Sequence, residues 1–129
     1  EKSISFEGDS GPYLQYSYAR AQSVLKKAKS EKIKSEPNLK IHPNDPSDLE
    51  KKMIYLPEIV EKAGKEYEPH FIVLYLTELA REFNNYYEKN KIVDKKDEFS
   101  PYKIALTEAF SIIMKNGLWL LGISASERM

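Results

Sequence analysis

Tyrosine is the residue type whose spacing suggests chemistry in this chain, which carries nine tyrosines among its 129 residues. Tyr13, Tyr16 and Arg20 fall within roughly 60° of one another when placed on a helix at about 100° per residue. An aromatic ring can stack on an unpaired base, and a guanidinium can hold a phosphate. The trio therefore suggests contact with single-stranded nucleic acid, although exposed tyrosines also serve protein interfaces.

A second group of similar composition lies further along the chain, where Tyr87 stands close to Asn84 and Lys91. An aromatic, an amide and a cation together suit stacking on unpaired bases and holding a phosphate. Tyr18 and Tyr86, by contrast, lie on predicted core stripes, where packing is the expected role of a tyrosine. These patterns leave two interpretations open, a nucleic-acid surface and a protein interface.

Apart from these binding patterns, no arrangement of residues in the sequence predicts catalysis or metal binding. His42 and His70 lie far apart, and neither occurs in a metal-ligand spacing such as His-Glu-x-x-His. We expect His42 to be exposed in a loop and His70 to cap or pack in a first helical turn. The chain has no Cys and no Gly-rich phosphate loop beyond a short turn at residues 8–11, and its carboxylates fit solvated helix faces. The sequence therefore predicts neither a catalytic site nor a metal site.

Charge is balanced in total but not in its distribution. Twenty basic residues offset 20 acidic ones, so no overall positive field attracts nucleic acid, which argues against a free-standing nucleic-acid binder. Residues 20–40 nevertheless hold seven basic residues against two acidic ones, a net of +5, and residues 44–68 have a net of −3. Because recognition depends on local charge, a basic end of the molecule remains compatible with RNA binding.

Length and composition indicate one globular domain in a reducing compartment. The hydrophobic content of 41% is enough for a packed core, and no apolar run approaches the roughly 18 residues of a membrane-spanning helix. The absence of Cys and of a signal pattern favours the cytoplasm, with no membrane partner. Position 1 is not Met, so we expect a fragment of a longer protein.

Helical periodicity dominates the chain, and no stretch alternates apolar and polar residues, so the fold class is predicted to be all-α. The first helix should begin at Gly11 and Pro12, with Asp9 or Ser10 as its N-cap. Its predicted core stripe consists of Leu14, Tyr18, Ala21, Leu25 and Ala28, and the Tyr13, Tyr16 and Arg20 trio lies off that stripe.

The middle of the chain predicts a connector and three helical segments. Residues 36–46 contain three prolines and should form the connector. Ser47 or Asp48 should cap a segment with apolar positions at Leu49, Met53, Ile54 and Leu56, and a short helix is expected over residues 57–67. The central helix should open at residues 68–69, with the stripe Ile72, Leu76, Leu79, Phe83 and Tyr86.

The last third predicts a polar turn and one long helix. Residues 89–99 read as polar and turn-like, and Ser100 and Pro101 provide a cap and a first-turn proline. Gly117 on the apolar face suggests a closely packed neighbouring helix, and Gly122 should end the helix. Together the segments predict a compact bundle of about five helices. The apolar face of this last helix, which contains Gly117, also includes Leu106, Ala109, Phe110, Ile113 and Leu120.

Three runs of sequence resemble one known family. Residues 5–20 (SFEGDSGPYLQYSYAR) are similar to the start of the C-terminal anticodon-binding domain of arginyl-tRNA synthetases. Residues 68–87, from Glu-Pro-His to Tyr87, are similar to the central helix of that domain, and residues 116–129, closing with Glu-Arg-Met, to its C-terminus. The runs occur in order and span nearly the whole chain.

The resemblance implies a helical domain of the type found in class I aminoacyl-tRNA synthetases. Residues 1–10 would form a lead-in loop and residues 11–129 the helical bundle, as the C-terminal fragment of a longer synthetase. Such a domain receives the anticodon stem-loop of arginine tRNA. The parent arginine-tRNA ligase would activate arginine with ATP and esterify it to the tRNA in a catalytic domain of the same polypeptide.

The resemblance also implies which residues meet the tRNA. Aromatic and basic positions on the first and central helices, with the C-terminal residue, surround the anticodon loop in this family. Because family members can have an aromatic residue at the position of Lys91, phosphate contact replaces stacking as the hypothesis there. The residues that match by motif are Tyr13, Tyr16, Arg20, Tyr87, Lys91 and Met129.

Several family motifs are missing from this chain. The Asp-Ala-Leu-Arg motif is absent and is expected upstream of Glu1. The class I signatures His-Ile-Gly-His and Lys-Met-Ser-Lys-Ser are absent too, so this chain should have no catalytic site or cofactor of its own. Two rival interpretations stay open: a helical protein-interaction module with exposed tyrosines, and burial of Tyr13 and Tyr16 beneath an upstream domain.

Overall fold

The fold is an arrangement of helices, seen in a computed structural model that describes residues 10–35, 43, 46–56, 58, 61 and 69–122. Within these ranges there are four main helices and no strand: α1 (Ser10–Ser30), α2 (Asp48–Met53), α3 (Pro69–Lys89) and α4 (Ser100–Leu120). The predicted all-α class is confirmed. The fifth predicted helix, over residues 57–67, lies largely outside the described residues, as do the N-terminal lead-in, His42 and the C-terminal residues.

Helix α1 lies against both α3 and α4. It begins at Ser10, one residue before the predicted start, while Asp9 lies outside the described residues. Its predicted stripe is buried, apart from Leu25, which is partly buried. Ser17 and Val24 are buried as well, because a helix with two neighbours must cover a wider face than a single stripe.

Helix α2 is short and carries the predicted cap. The Ser47 hydroxyl accepts from the Glu50 backbone N–H at 3.2 Å, and the Glu50 carboxylate accepts from the Ser47 N–H at 3.0 Å, so the two residues form a capping box. Leu49 is buried, but Ile54 is 71% exposed, contrary to its predicted apolar position. The reason is that α2 ends at Met53 and Ile54 begins a turn.

Helices α3 and α4 pack closely and run antiparallel. Phe83 and Phe110 stack with their ring centroids 4.2 Å apart. Leu76, seven residues before Phe83, contacts Gly117, seven residues after Phe110. A Cβ added at Gly117 would lie 2.6 Å from Leu76 Cδ1, so the close approach predicted from this glycine is confirmed. The central stripe of α3 is also confirmed, with Leu76, Leu79 and Phe83 fully buried.

The buried face of α4 differs from the predicted one. Ala109 and Leu120 are exposed. Because α4 touches α1 as well as α3, its buried face includes polar side chains, and Ser111 forms a short hydrogen bond with Gln22 of α1. The apolar pattern alone could not indicate this second contact. The residues buried in addition to the prediction are Ile104, Thr107, Ser111, Met114 and Leu118.

Part of the segment between α3 and α4 is buried, although the sequence predicted a polar turn there. Ile92 and Val93 are buried in the core. Ser100 does not cap α4; its hydroxyl donates to the Ile92 carbonyl at 2.5 Å and accepts from the Asp94 N–H at 3.0 Å. These bonds hold the loop against the core at the end of α3. Pro101 lies in the first turn of α4, as predicted.

His70 is exposed in the first turn of α3, with its ring centroid 4.5 Å from that of Phe71, so it packs beside a neighbouring ring. The described residues contain no group of three or more acidic or histidine side chains that could hold a metal ion. No helix in the described ranges is both long enough and apolar enough to cross a membrane. Gly122, at φ 76°, follows the end of α4.

Candidate nucleic-acid interface

A groove of about 820 Å³ runs between α1, the end of α3 and the loop that follows α3. The side chains of Tyr16, Arg20 and Tyr87 form one end of it. The buried loop residues Ile92 and Val93 also line the groove, so the bonds made by Ser100 fix this part of its wall. The other residues that line the groove are Ala19, Ser23, Val24, Lys26, Lys27, Asn90 and Lys91.

Arg20 links the two helices that form this end of the groove. Its guanidinium carbon lies 4.3 Å from the ring centroid of Tyr87 and 5.0 Å from that of Tyr16. Its Nη2 donates to the Tyr16 hydroxyl at 2.6 Å, and its Nη1 donates to Asn84 Oδ1 at 3.1 Å. A cation within about 6 Å of an aromatic centroid is attracted by the ring, so two rings and two hydrogen bonds fix the guanidinium.

Asn84 joins the arginine to the rest of α1. Its Nδ2 donates to the Tyr13 hydroxyl and to the Ser17 hydroxyl, both at 3.1 Å. Ser17 is fully buried, so this bond satisfies a hydroxyl that water does not reach. One amide of α3 therefore contacts three side chains of α1 beside the groove.

Tyr87 and its neighbour Tyr86 face different surroundings. Tyr87 is 40% exposed, and its ring lies between the Arg20 guanidinium at 4.3 Å and the buried Phe83 ring at 6.3 Å. Tyr86 packs against the core on another side of α3, and burial raises its pKa to about 12. Tyr86 thus packs against the core, as predicted, whereas Tyr87 keeps exposed surface in the groove.

The groove is positively charged. Arg20, Lys26, Lys27 and Lys91 line it, and the described part of the chain places no acidic side chain in its lining. No carboxylate among the described residues forms an ion pair with Arg20. An aromatic groove lined by several cations is suited to a phosphate-bearing, unstacked strand, because stacking tolerates any base and the cations attract its backbone.

The structure brings together four of the six predicted site residues. Tyr16, Arg20, Tyr87 and Lys91 all line the groove. Tyr13, expected off the core, is instead half-buried against it and does not line the groove; its hydroxyl accepts from Asn84, which in turn accepts from Arg20. Met129 lies outside the described residues.

Sequence reasoning missed part of the groove. Lys26 and Lys27 were noted only as part of a lysine-rich run, yet Tyr16, Arg20, Ser23 and Lys27 follow steps of four, three and four along α1. That helical spacing places them on one face and could have identified Lys27. The sequence grouped Asn84 with Tyr87 and Lys91 as a nucleic-acid binding set, but its contacts with α1 could not be predicted, because they depend on how the helices pack.

Comparison with known proteins gives this groove a context. The sequence pattern of the DALR anticodon binding domain family matches residues 14–129. The arginine–tRNA ligase of Lactobacillus johnsonii is 40% identical over 129 residues, which is 100% of this chain and 23% of the relative. The arginine–tRNA ligase of Thermococcus kodakarensis is 38% identical over 136 residues, 100% of this chain and 21% of the relative.

A solved structure supports the same similarity. The arginyl-tRNA synthetase of Thermus thermophilus superposes with a TM-score of 0.75 at 30% identity, covering 97% of this chain and 22% of that one. The chain therefore spans less than a quarter of the length of these relatives. The similarity to arginyl-tRNA synthetases predicted from three sequence runs is confirmed along the chain.

Proposed function

The chain belongs to the DALR anticodon-binding domain family, and from that we propose that it binds the anticodon stem-loop of arginine tRNA within an arginine–tRNA ligase. The observation that carries the proposal is the groove in which Arg20 lies against Tyr16 and Tyr87, with lysines along its length. Both rings are exposed, at 44% and 40%, so each has surface available to an unstacked base.

We assign separate tasks to the two ends of the groove. Bases of the opened anticodon loop stack on Tyr16 and Tyr87, and each stacked base contributes on the order of 1–3 kcal/mol. Two of the Arg20 N–H donors are used by Asn84 and Tyr16 in the described part of the chain, and the remaining donors face a phosphate. Lys26, Lys27 and Lys91 hold the backbone beyond the aromatic end.

Tyr13 and Met129 complete the proposed site. The Tyr13 hydroxyl accepts from Asn84 and so supports the Arg20 network from the side of the core. Met129 contributes its side chain from the end of the chain. Both assignments rest on the family resemblance rather than on the groove.

The longer protein supplies the reaction in this proposal. It is a cytoplasmic class I synthetase that activates arginine with ATP and esterifies it to the tRNA, and residues 1–129 are its C-terminal anticodon-binding domain. The catalytic domain of the same polypeptide is the second partner of this chain. Anticodon binding far from the reacting ester contributes by positioning the tRNA, since remote binding energy can be used at the catalytic centre.

Footprinting of an arginine-tRNA transcript on the full-length protein tests the proposal. We expect the anticodon loop to be protected by the intact protein and exposed when residues 1–129 are deleted, with the acceptor end still protected. Equal protection of the anticodon loop by both proteins would place its binding site elsewhere. Affinity should also fall steeply with salt, because phosphate contacts release counterions.

A further inference from the structure

In the part of the chain that the structure describes, neutral groups hold Arg20 in the groove and no carboxylate pairs with it. Its contacts in the described residues are two tyrosine rings, one phenol hydroxyl and the Asn84 carboxamide oxygen. A buried or partly buried arginine is more often fixed by a carboxylate, which gives stronger bonds but cancels the charge. Here the side chain is fixed, and no described carboxylate offsets its charge, which is therefore available to a ligand.

The orientation of the Asn84 amide follows from the chemistry of its partners. A guanidinium can only donate, so the amide oxygen must face Arg20. The amide nitrogen then points at the Tyr13 and Ser17 hydroxyls, which can accept from it. Neither a hydrophobic residue nor a hydroxyl could contact all three α1 side chains in this way.

We propose that Asn84 is a positioning residue that holds Arg20 in the anticodon groove without neutralising it, so that Arg20 keeps its charge for an RNA phosphate. This inference rests on the proposed function and adds a residue and a role to it. It explains why an amide stands at the centre of a network whose other members would tolerate a carboxylate.

Asn84→Asp is the informative substitution. The two hydroxyls can donate to a carboxylate as readily as they accept from an amide, so the helix contacts can re-form. The new charge, however, would pair with the Arg20 guanidinium, only 3.1 Å from the present oxygen. A phosphate would then have to displace an internal ion pair, and one effective phosphate contact is lost.

The experiment measures affinity of the full-length protein for an arginine-tRNA transcript over a range of salt concentrations. We expect Asn84→Asp to weaken binding about tenfold, the loss for one charge-assisted hydrogen bond. The slope of log affinity on log salt should flatten by about 0.7, the value for one single-strand phosphate. Asn84→Ala should weaken binding only severalfold and keep the slope, because Arg20 stays charged.

The neighbouring Asn85 supplies the matched control. It is exposed and lines a different cavity, so Asn85→Asp adds the same charge without touching the Arg20 network and should leave both affinity and slope near the native values. Identical affinity and slope for Asn84→Asp and Asn85→Asp would overturn the inference.

Two further variants separate this inference from the proposed function. Arg20→Ala should weaken RNA binding, and adding Asn84→Ala to it should cost nothing more, because Asn84 acts through Arg20. If Arg20→Ala has no effect on affinity, the groove is not the RNA site and the proposed function fails. If Arg20→Ala weakens binding but the added Asn84→Ala weakens it by the same factor as it does in the native protein, only the role of Asn84 is wrong. This pair decides the question even if Asn84→Asp does not fold.

Discussion

The Arg20 guanidinium lies 4.3 Å from the centroid of the Tyr87 ring, so a residue of α1 and a residue of α3 form one cation–aromatic pair across the groove. Tyr87 in turn lies beside Phe83, which stacks on Phe110 of α4. The exposed pair is thus supported by a series of rings that continues into the core. The geometry of the groove therefore depends on the packing of the helices beneath it.

This pair predicts that charge alone is not sufficient at position 20. Arg20→Lys keeps the positive charge but loses the planar fork that bonds to Asn84 and Tyr16 and lies 4.3 Å from the centroid of the Tyr87 ring. We expect affinity for an arginine-tRNA transcript to fall about tenfold, which corresponds to roughly 1.4 kcal/mol of binding free energy. The salt dependence of binding should change little, because the charge remains.

Arg81 provides the control for that substitution. It lies on the same helix as Tyr87 but is exposed and does not line the groove, so Arg81→Lys should bind like the native protein. Native affinity for Arg20→Lys would mean that the hydrogen bonds and ring contacts of the guanidinium make no difference to RNA binding. Binding measured by filter retention or fluorescence anisotropy on the full-length protein is sufficient.

Tyr16 predicts the size of a stacking contribution. Tyr16→Ala removes an exposed ring, and loss of one stacked base costs about 1–3 kcal/mol, or about 5- to 150-fold in tRNA affinity. Binding of ATP and arginine by the full-length protein should be nearly unchanged, because those substrates are bound elsewhere. Equilibrium binding of each of the three ligands checks this pattern.

Tyr55 is the matched tyrosine for this experiment. It is 52% exposed beside the end of α2 and does not line the groove, so Tyr55→Ala should leave tRNA affinity unchanged. An equal loss in both variants would point to a general effect on the fold. No loss in Tyr16→Ala would remove Tyr16 from the site and favour the protein-interface interpretation.

The features that sequence predicted well are local ones. The Ser47 cap and the α3 stripe from Leu76 to Phe83 follow from spacing within a single helix. Tyr16 and Arg20 share a face for the same reason, and they do meet in the structure. Period and capping are set by residues a few positions apart, which a single sequence displays directly.

The features that sequence missed depend on contacts between distant segments. Ala109 is exposed and Ser111 is buried because α4 touches two helices, a fact that no local pattern contains. Ile92 and Val93 are buried because Ser100 holds their loop against the core. The central role of Asn84 likewise arises only when α1 and α3 come together.

Asp97 predicts a pH-dependent contribution to stability. Its carboxylate lies 2.8 Å from the Lys103 ammonium and also accepts from the Phe99 N–H at 2.9 Å, and the hydrogen bond from Lys103 is the main reason that its pKa is lowered. A carboxyl with a lower pKa in the folded state stabilises the fold above its ordinary value of 3.8. That contribution is lost as the pH falls through the lower, folded value.

Asp97→Asn should therefore lower the free energy of unfolding by about 1 kcal/mol at neutral pH, since the pair is partly exposed. The difference between native and variant proteins should shrink as the pH falls below the ordinary value of an aspartate. Urea unfolding at a series of pH values measures it. Glu98→Gln changes an exposed neighbour and is the control; its difference from the native protein in free energy of unfolding should not vary with pH in this way. If the difference for Asp97→Asn is independent of pH, the ion pair is not its cause.

Gly117 predicts how closely α3 and α4 must approach. An alanine favours a helix over glycine by about 1 kcal/mol, but a Cβ at Gly117 would meet Leu76 Cδ1 at 2.6 Å. Leu76 is only 1% exposed and has little room to move, and overpacking of a core costs about 1–3 kcal/mol. We expect Gly117→Ala to lower the free energy of unfolding by about 1 kcal/mol in net terms.

The neighbouring Asn116 separates the two effects. It is exposed on the same turn, so Asn116→Ala gains helix propensity without a clash and should be neutral or slightly stabilising. Leu76→Ala opens space beside Gly117, and in that background Gly117→Ala should no longer destabilise, which gives a coupling of about 1–3 kcal/mol between the two positions. Urea unfolding of the four proteins of this cycle measures the coupling. If the effects of Leu76→Ala and Gly117→Ala on the free energy of unfolding are additive, α3 and α4 can separate at this point without cost. The Phe83 and Phe110 rings beneath the Arg20 groove would then not depend on the contact between Leu76 and Gly117.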